Sequence, residues 1–194
     1  QIGPKSVGDL ILITSVARPG GLDSKLEDGK TVADHFIARS TGQEPVDFLD
    51  PLLEPILRET YGLVIFQEQI QKIFEVVGGL TPVESDDARR AVGKKNLKVL
   101  LSIKGQLFDG ARVKHGWSLE KCEALWNSFI GAANYAFNRA HAAAYGIIAY
   151  ACAYLKKKYV LEWWCAVLAH SESDKIRHYL SEIEGFMQFP SVNN

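Results

Sequence analysis

The sequence predicts a mainly all-α protein, an irregular multi-helix domain with at most a short strand or two. Apolar residues recur at helical spacing in six to eight segments, and several of these start at a capping residue or stop at glycine. A single short apolar run has the composition of a strand. With 194 residues and 47% hydrophobic content, the chain is long and apolar enough to bury a core.

The first third of the chain alternates short helical patterns with turns. Residues 6–17 have apolar spacing compatible with a helix, and the turn signal RPGG at 18–21 closes it. A short helix is expected at 31–40, inside the polar region 22–55. The apolar run at 61–66, YGLVIF, could be a strand.

Residues 81–93 carry the clearest local signal. Thr81 is placed to cap a helix, Pro82 occupies its first position, and Glu84 completes a capping box. Gly93 is expected to stop this helix. The remaining helix patterns run from Gln67 to Gly78-Gly79, from about Leu97 to Lys114, from Ser118 to about Ile130, from Arg139 to Lys157, from Leu161 to His170 and from Asp174 to Glu184.

Charge is unevenly distributed along a chain whose net charge is only −1. Residues 1–60 carry ten acidic and six basic side chains, whereas residues 89–114 carry eight basic side chains against Asp109 alone, a net charge of +7. A second run, 135–158, has four basic side chains and no acid. Such asymmetry is typical of surfaces that bind nucleic acid or triphosphate, although solvated helices also carry lysines.

The residues give no support for a self-contained catalytic centre. Two-metal phosphoryl transfer needs a close pair of carboxylates, but Asp86 and Asp87 are adjacent and point about 100° apart on a helix. We interpret them as acids that favour the positive end of a helix dipole. Gly93, Lys94 and Lys95 lack the upstream glycine and the Ser/Thr of a phosphate-binding P-loop.

Cysteine usage and hydropathy indicate an intracellular protein. Cys122, Cys152 and Cys165 are widely spaced in apolar segments, so we expect core thiols in a reducing compartment, and the histidines show no zinc-ligand spacing. The longest apolar run, 146–155, is shorter than the about 20 residues that cross a bilayer. The chain starts at Gln1 and has no signal peptide, which we interpret as an excised fragment of a cytoplasmic protein.

Two clusters are suited to binding an anion. Arg89, Arg90, Lys94 and Lys95 fall within seven residues around a helix end, where arginine forks and lysine point charges suit phosphate. In FNRAHAAAYG, residues 137–146, Arg139 starts a helix and His141 and Tyr145 share one face. This arrangement would fit a nucleotide, with its phosphates at the start of the helix and its ring against Tyr145. Spacing alone leaves this binding and ordinary core packing equally open.

Four segments occur in an order that resembles the fingers region of the C-family replicative DNA polymerases, the family of the DNA polymerase III α subunit. They are RPGG at 18–21, YGLVIFQEQI at 61–70, ARRAVGKKN at 88–96 and FNRAHAAAYG at 137–146. YLKKKYVLEWWCAVLAHSES at 154–173 is similar to a further family segment, so the resemblance covers about 3–173. Arg139 stands where the family often has lysine, so the positive charge is retained.

The resemblance implies a region that closes over the incoming dNTP and the templating base. The catalytic aspartates and two Mg²⁺ ions of the family belong to the palm domain, outside this chain, so the fragment is expected to be inactive alone. The implied dNTP-binding residues are Arg89, Arg90, Lys94, Arg139, His141 and Tyr145. The expected DNA or phosphate contacts are Lys95, from the same motif, and Lys98 and Lys104, from the basic segment 89–114. Gln67, Glu68 and Gln69 are expected to position the site, and Arg18 to abut the palm.

The resemblance also implies a division of the chain and a set of partners. Residues 1–60 would abut the palm, 61–173 would form the core of the fingers, and 174–194 would start the next region. Primer–template DNA and dNTPs are the expected ligands, and a sliding clamp and other replisome subunits are expected through the full-length chain. The alternative is a non-catalytic helical DNA-binding or replisome-scaffolding module.

Overall fold

The computed structural model describes residues 3–26, 28–94, 97–132 and 135–187. These residues contain eleven α-helices and no strand. The predicted mainly all-α class is confirmed. The chain divides into two compact units, Gln1–Gly146 and Ile147–Asn194. The three-part functional division at residues 60 and 173 stays a prediction.

The first unit contains most of the helices. They are α1 (Val7–Val16), α2 (Pro19–Asp23), α3 (Val32–Ser40), α4 (Glu54–Leu57), α5 (Gln67–Ile73), α6 (Pro82–Lys94), α7 (Leu97–His115) and α8 (Leu119–Ala132). Short 3₁₀ turns at Pro51–Leu53 and Arg58–Thr60 flank α4, and a π-helical turn at Phe74–Gly78 extends α5. Helix α9 (Arg139–Lys158) begins in this unit and ends in the second, which also contains α10 (Val160–Ala169) and α11 (Ser173–Met187).

Side-chain caps explain why several helices start where the sequence predicts. Ser6 and Thr31 each form a capping box, at the starts of α1 and α3. At α6 the Thr81 N–H donates to the Glu84 carboxylate at 2.8 Å, and the Glu84 N–H approaches the Thr81 hydroxyl at 3.4 Å. Gly93 does not stop α6, which continues to Lys94.

Two short segments differ from their predicted structure. The RPGG segment begins the five-residue helix α2 instead of forming only a turn, because Pro19 at the first helical position favours helix formation. Residues 61–66 do not form a strand. Tyr61 and Gly62 have positive φ, 53° and 78°, and the extended stretch that follows pairs only through an isolated bridge from Phe66 to Phe137.

The core of the first unit lies around α5, its π-helical turn, α7 and α8. Phe74 and Phe129 are fully buried, with ring centroids 5.2 Å apart. Helix α7 approaches the π-helical turn so closely that a Cβ added at Gly110 would lie 2.0 Å from the carbonyl oxygen of Gly78. Glycine at position 110 therefore permits the close approach of α7 to the π-helical turn that extends α5.

The three cysteines occupy different environments. Cys122 is buried, and burial raises the pKa of its thiol, as expected for a core cysteine. Cys152 is half-buried and Cys165 is exposed, so the prediction of a core thiol is wrong for Cys165. Trp164 takes the buried position on α10, and its neighbour points about 100° away around the helix.

Candidate functional site

Three consecutive side chains at the start of α5, those of residues 67–69, reach three different parts of the first unit. Gln67 connects α5 to α6, because its Oε1 atom accepts a 2.8 Å hydrogen bond from Nη1 of Arg89. The main-chain N–H of Gln67 donates to the Phe137 carbonyl at 2.9 Å, and the Phe137 N–H donates to the Ile65 carbonyl at 2.8 Å. The segments 61–70, 88–96 and 137–146 therefore meet at Gln67.

Glu68 caps the N-terminus of α9. Its carboxylate accepts the main-chain N–H of Arg139 at 3.0 and 3.1 Å and an amide N–H of Asn138 at 2.9 Å. The Asn138 Oδ1 atom accepts the N–H of His141 at 2.8 Å, as an N-cap side chain does. The anion that binds these N–H groups in this structure is the carboxylate of Glu68.

Gln69 is buried, with 4% of its surface exposed, and its side-chain amide is fully used. Oε1 accepts the N–H groups of Ile65 and Phe66, both at 2.9 Å. Nε2 donates to the Ile56 carbonyl at 3.1 Å and to the Thr60 hydroxyl at 2.8 Å. Gln69 holds the segment from residue 56 to residue 66 in place, which gives it a structural role behind the site.

Several of the predicted phosphate-binding residues line one small cleft of about 220 Å³. The lining residues are Gln67, Ile70, Arg89, Arg90, Val92, Lys94 and Ala136. The Arg90 side chain is 62% exposed and Lys94 is exposed, whereas the Arg89 side chain is only 23% exposed. The cleft therefore presents two cations that solvent can reach, Arg90 and Lys94, beside Arg89, which is mostly covered.

Asp86 holds both arginines of this basic cleft. Its Oδ1 atom accepts from Nε and Nη2 of Arg89 at 3.0 and 2.8 Å, and its Oδ2 atom accepts from Arg90 at 2.8 Å. The hydrogen bond from Arg89 is the main reason that the pKa of the Asp86 carboxyl is lowered. Arg89, Arg90 and Lys94 against Asp86 leave a net charge of +2 at the cleft. Asp86 therefore has a role besides the predicted interaction with the helix dipole, because it pairs with both arginines.

Arg139 lies at a second cleft, of about 690 Å³, which also includes Glu68, Gln69 and the ring of Phe66. Its guanidinium pairs with the Glu59 carboxylate through two contacts, 2.6 and 2.8 Å. The same guanidinium lies 5.6 Å from the centre of the Phe66 ring. The charge of Arg139 is thus neutralised by an acid eighty residues away in the chain.

His141 and Tyr145 share one face of α9, as their spacing predicts. Their ring centroids are 4.6 Å apart, and the Phe137 ring lies 5.4 Å from that of His141. Both side chains are exposed and line neither of the two clefts described above. The side of the helix about 100° further around is packed, since Ala142 is fully buried and a Cβ added at Gly146 would lie 2.7 Å from Ile11.

Arg18 joins the RPGG segment to the residues that precede α9. Its guanidinium hydrogen-bonds to the Tyr135 carbonyl, lies 4.4 Å from the centre of the Phe137 ring, and donates to the Ser15 carbonyl at 3.0 Å. Burial lowers the pKa of the Arg18 guanidinium and raises that of the Tyr135 phenol to about 12. Arg18 is therefore a cation that is used within the fold.

Of the three lysines predicted to contact DNA or phosphate, Lys104 is the one whose side chain the structure describes. Lys95 lies outside the described residues, and the side chain of Lys98 is likewise not described. Lys104 pairs with the Glu123 carboxylate at 2.7 and 2.8 Å and lies 5.1 Å from the Phe108 ring centre. These contacts give Lys104 a role in joining α7 to α8.

Three residues that contact the predicted site residues were not themselves predicted from the sequence. Asn138 has a residue type that caps helices and stands directly before α9, so its position could have revealed it. Asp86 lies three and four residues before the two arginines, which is ion-pair spacing on a helix. Glu59 gives no such signal, because its partner is distant in sequence.

The described residues contain no group of three or more His, Cys, Asp or Glu side chains that could hold a metal ion. Within the same residues, no helix is both long and apolar enough to cross a membrane.

Comparison with known proteins places these features in a family. A model of the bacterial DNA polymerase III alpha subunit finger domain matches residues 1–115. The chain is 37% identical over 174 residues to DNA polymerase III subunit alpha of Aquifex aeolicus, covering 90% of this chain and 14% of that protein. The subunit alpha of Helicobacter pylori strain 26695 is 37% identical over 186 residues, covering 94% and 15%, and that of Campylobacter jejuni is 34% identical over 198 residues, covering 100% and 16%.

The chain spans only 14 to 16% of the length of these three relatives. The family model nevertheless covers residues 1–115, more than half of the 194 residues, and includes three of the four segments singled out in the sequence. The chain belongs to the family of bacterial DNA polymerase III alpha subunit finger domains.

Proposed function

We propose that the chain is the fingers part of a cytoplasmic, replicative DNA-directed DNA polymerase and binds the triphosphate of the incoming dNTP beside the primer–template. The observation that carries the proposal is the basic cleft. Arg89, Arg90 and Lys94 line one cavity in a member of the polymerase III finger family. Phosphate oxygens are the ligands that such a cluster of arginine and lysine side chains favours.

The cations of the basic cleft have different roles in this proposal. Lys94 is exposed, and the Arg90 side chain is 62% exposed although its Nε and Nη2 atoms pair with Asp86, so Lys94 and the remaining N–H groups of Arg90 would contact phosphate oxygens directly. Arg89 is oriented by Asp86 and Gln67 before any ligand binds, so it would contribute a fixed positive charge at short range. A charge that is already positioned costs no reorganisation as the pyrophosphate leaving group becomes more negative.

The N-terminus of α9 is assigned a different part of the nucleotide. A phosphate there would have to displace the Glu68 carboxylate, and Arg139 would have to leave Glu59. The triphosphate is therefore assigned to Arg90 and Lys94. The exposed rings of His141 and Tyr145 are assigned to the base or the sugar, for which an aromatic face is suited.

Catalytic Mg²⁺ does not fit the residues described here. No metal-holding group of acids or histidines occurs among them, and Asp86 at the basic cleft is paired with two arginines. The proposal assigns the metal ions to the palm domain, outside this chain, and derives no step through them. Extension of a primed template by this chain alone would contradict that assignment.

DNA and protein partners remain part of the proposal. Lys95 and Lys98 continue the basic segment of the sequence after Lys94 and are assigned to DNA phosphates. Lys104 would reach DNA only by leaving Glu123. A sliding clamp and other replisome subunits would bind other parts of the full-length polymerase.

The test compares two exposed arginines in the complete polymerase that contains this chain. Arg90 and Arg58 each pair with an acid four residues earlier, Asp86 and Glu54 respectively, so Arg58→Ala is a matched control for Arg90→Ala. Losing one charge-assisted phosphate contact should lower kcat/KM for dNTP about 10- to 100-fold, while Arg58→Ala should leave it unchanged.

The readout is steady-state incorporation on a primed template over a range of dNTP concentrations. Wild-type kcat/KM in Arg90→Ala would refute the assigned role. A scaffolding or DNA-binding module would instead give weaker DNA binding with unaltered dNTP dependence.

A further inference from the structure

The C-terminal half of α9, within the second unit, exposes aromatic side chains along one face. Tyr150 and Tyr154 are 52% and 46% exposed. Because they are four residues apart, they lie on the same side of the helix, about 6 Å apart along its axis. Lys157 and Lys158 follow on this side, and Ile147 precedes them at 60% exposure. We refer to Tyr150, Tyr154, Lys157 and Lys158 as the tyrosine–lysine face.

The second unit packs against the other side of the helix. Ala149, Cys152 and Lys156 are half-buried and recur at spacings of three and four, opposite the tyrosines. The Lys156 ammonium lies 4.6 Å from the centre of the Trp164 ring and pairs with Glu182 at 3.2 Å. The tyrosine–lysine face is therefore not the side that α9 uses to form the core of its unit.

The lysines are arranged around the rings. The Lys158 ammonium donates to the Tyr154 hydroxyl at 2.9 Å and lies 5.3 and 5.6 Å from the ring centres of Tyr154 and Tyr159. Lys157 is exposed, and neither Lys157 nor Lys158 forms an ion pair with a carboxylate in the described parts of the chain. Both charges are thus available to a ligand that meets the rings.

The helix that carries this face contains no acidic residue. No acidic residue occurs between Glu123 and Glu162. Lysines at the end of a helix are favoured by its dipole, but the dipole gives no reason for two exposed tyrosines on the same side. A combination of open aromatic rings and unneutralised cations is complementary to a ligand that has both flat rings and phosphates.

We propose that the tyrosine–lysine face binds single-stranded DNA, with bases stacked on Tyr150 and Tyr154 and phosphates paired with Lys157 and Lys158. Stacking platforms beside cations are how proteins hold unpaired strands, whereas in a duplex the stacking of neighbouring base pairs covers the base faces that the tyrosines need. The inference rests on the proposed polymerase function, because the ligand would be the unpaired template strand.

The test measures binding of a fluorescein-labelled oligo-dT to the 194-residue chain by fluorescence anisotropy. Replacing both tyrosines by alanine should weaken binding at least about tenfold, since stacking contributes at each base. Replacing both by phenylalanine retains the rings and should leave the affinity within about twofold of wild type. Circular dichroism establishes that each variant is folded.

The lysines are tested through the salt dependence of the same binding. Lys157→Gln with Lys158→Gln should reduce the slope of log K against log salt by about 1.4, at about 0.7 for each phosphate on a single strand. Lys30→Gln with Lys175→Gln removes the same charge at exposed positions elsewhere and should leave the slope unchanged.

Two results for binding of oligo-dT would overturn the inference at once: no binding by the wild-type chain, or wild-type affinity in the tyrosine-to-alanine variant. A lower salt slope in the lysine variant with no loss of affinity in the tyrosine-to-alanine variant would also overturn it. If the wild-type chain self-associates, and the tyrosine-to-alanine variant no longer does so but retains its DNA affinity, the face is a protein interface and the proposal is wrong. Failure of the proposed dNTP site is recognised separately, because Arg90→Ala is scored by incorporation and the tyrosine variants by oligonucleotide affinity.

Discussion

Gln69 provides a quantitative test of how the site is assembled, because its buried amide connects the 56–66 segment to α5. The change Gln69→Ala removes the acceptor of two main-chain N–H groups, those of Ile65 and Phe66, which are 2% and 1% exposed. Thr60 retains the Leu57 and Leu63 carbonyls as acceptors for its hydroxyl, so it is not left unpaired.

The two orphaned N–H groups set the expected loss of stability. At about 1–3 kcal/mol for each buried unsatisfied donor, Gln69→Ala should lower the free energy of unfolding by about 2–6 kcal/mol. The measurement is urea denaturation of the chain followed by circular dichroism. Gln71→Ala is the matched control on the same helix, because its amide makes one exposed contact of 3.5 Å, and it should cost less than about 0.5 kcal/mol. A loss below about 1 kcal/mol for Gln69→Ala would refute the structural role assigned to this amide.

Three further predictions concern stability and its dependence on pH. Gly110→Ala should destabilise the chain by more than about 1 kcal/mol, because its Cβ would clash with the Gly78 carbonyl. The control is Gly105→Ala on the same helix, whose Cβ would have no atom within 4 Å and which should be neutral or stabilising. Equal urea denaturation midpoints for the two variants would contradict this prediction. Asn138→Ala should lower the free energy of unfolding by about 0.5–2 kcal/mol, because it removes the N-cap of α9, whereas Asn138→Ser should retain most of that stability. An unchanged thermal midpoint for the alanine variant would contradict the capping role. Because the pKa of Asp86 is lower in the folded chain, the stability from its arginine pairs is present above its unfolded pKa of about 3.9 and is lost as pH falls through the folded value. Asp86→Asn should therefore flatten the pH dependence of stability below about pH 4, and an unaltered acid transition would argue against the pairing.

The sequence predicts most of the helices because their signals are local. Capping residues such as Ser6, Thr31 and Thr81 stand directly before the helices whose N–H groups they satisfy. The pairing of His141 with Tyr145 follows in the same way from the helical repeat. Local signals do not identify residues 61–66 correctly, because their apolar character reflects burial of an extended segment that has no neighbouring strand.

The sequence predicts only part of the candidate site, because some of the contacts that form it join segments that are distant in the chain. Arg89, Arg90 and Lys94 are close in sequence, so one helix is enough to bring them to one cleft. The partners that neutralise or orient the other cations come from distant segments. Glu59 pairs with Arg139 across eighty residues, and only the folded chain makes that contact evident. A basic residue in a motif is thus not by itself a free charge.

The most direct test of the proposed function is a structure of the complete polymerase bound to primer–template and an incoming dNTP. We expect phosphate oxygens of the nucleotide within hydrogen-bonding distance of Arg90 and Lys94, while Asp86 and Gln67 still hold Arg89. A triphosphate bound elsewhere, with the cleft formed by Gln67, Arg89, Arg90 and Lys94 facing only solvent or protein, would contradict it.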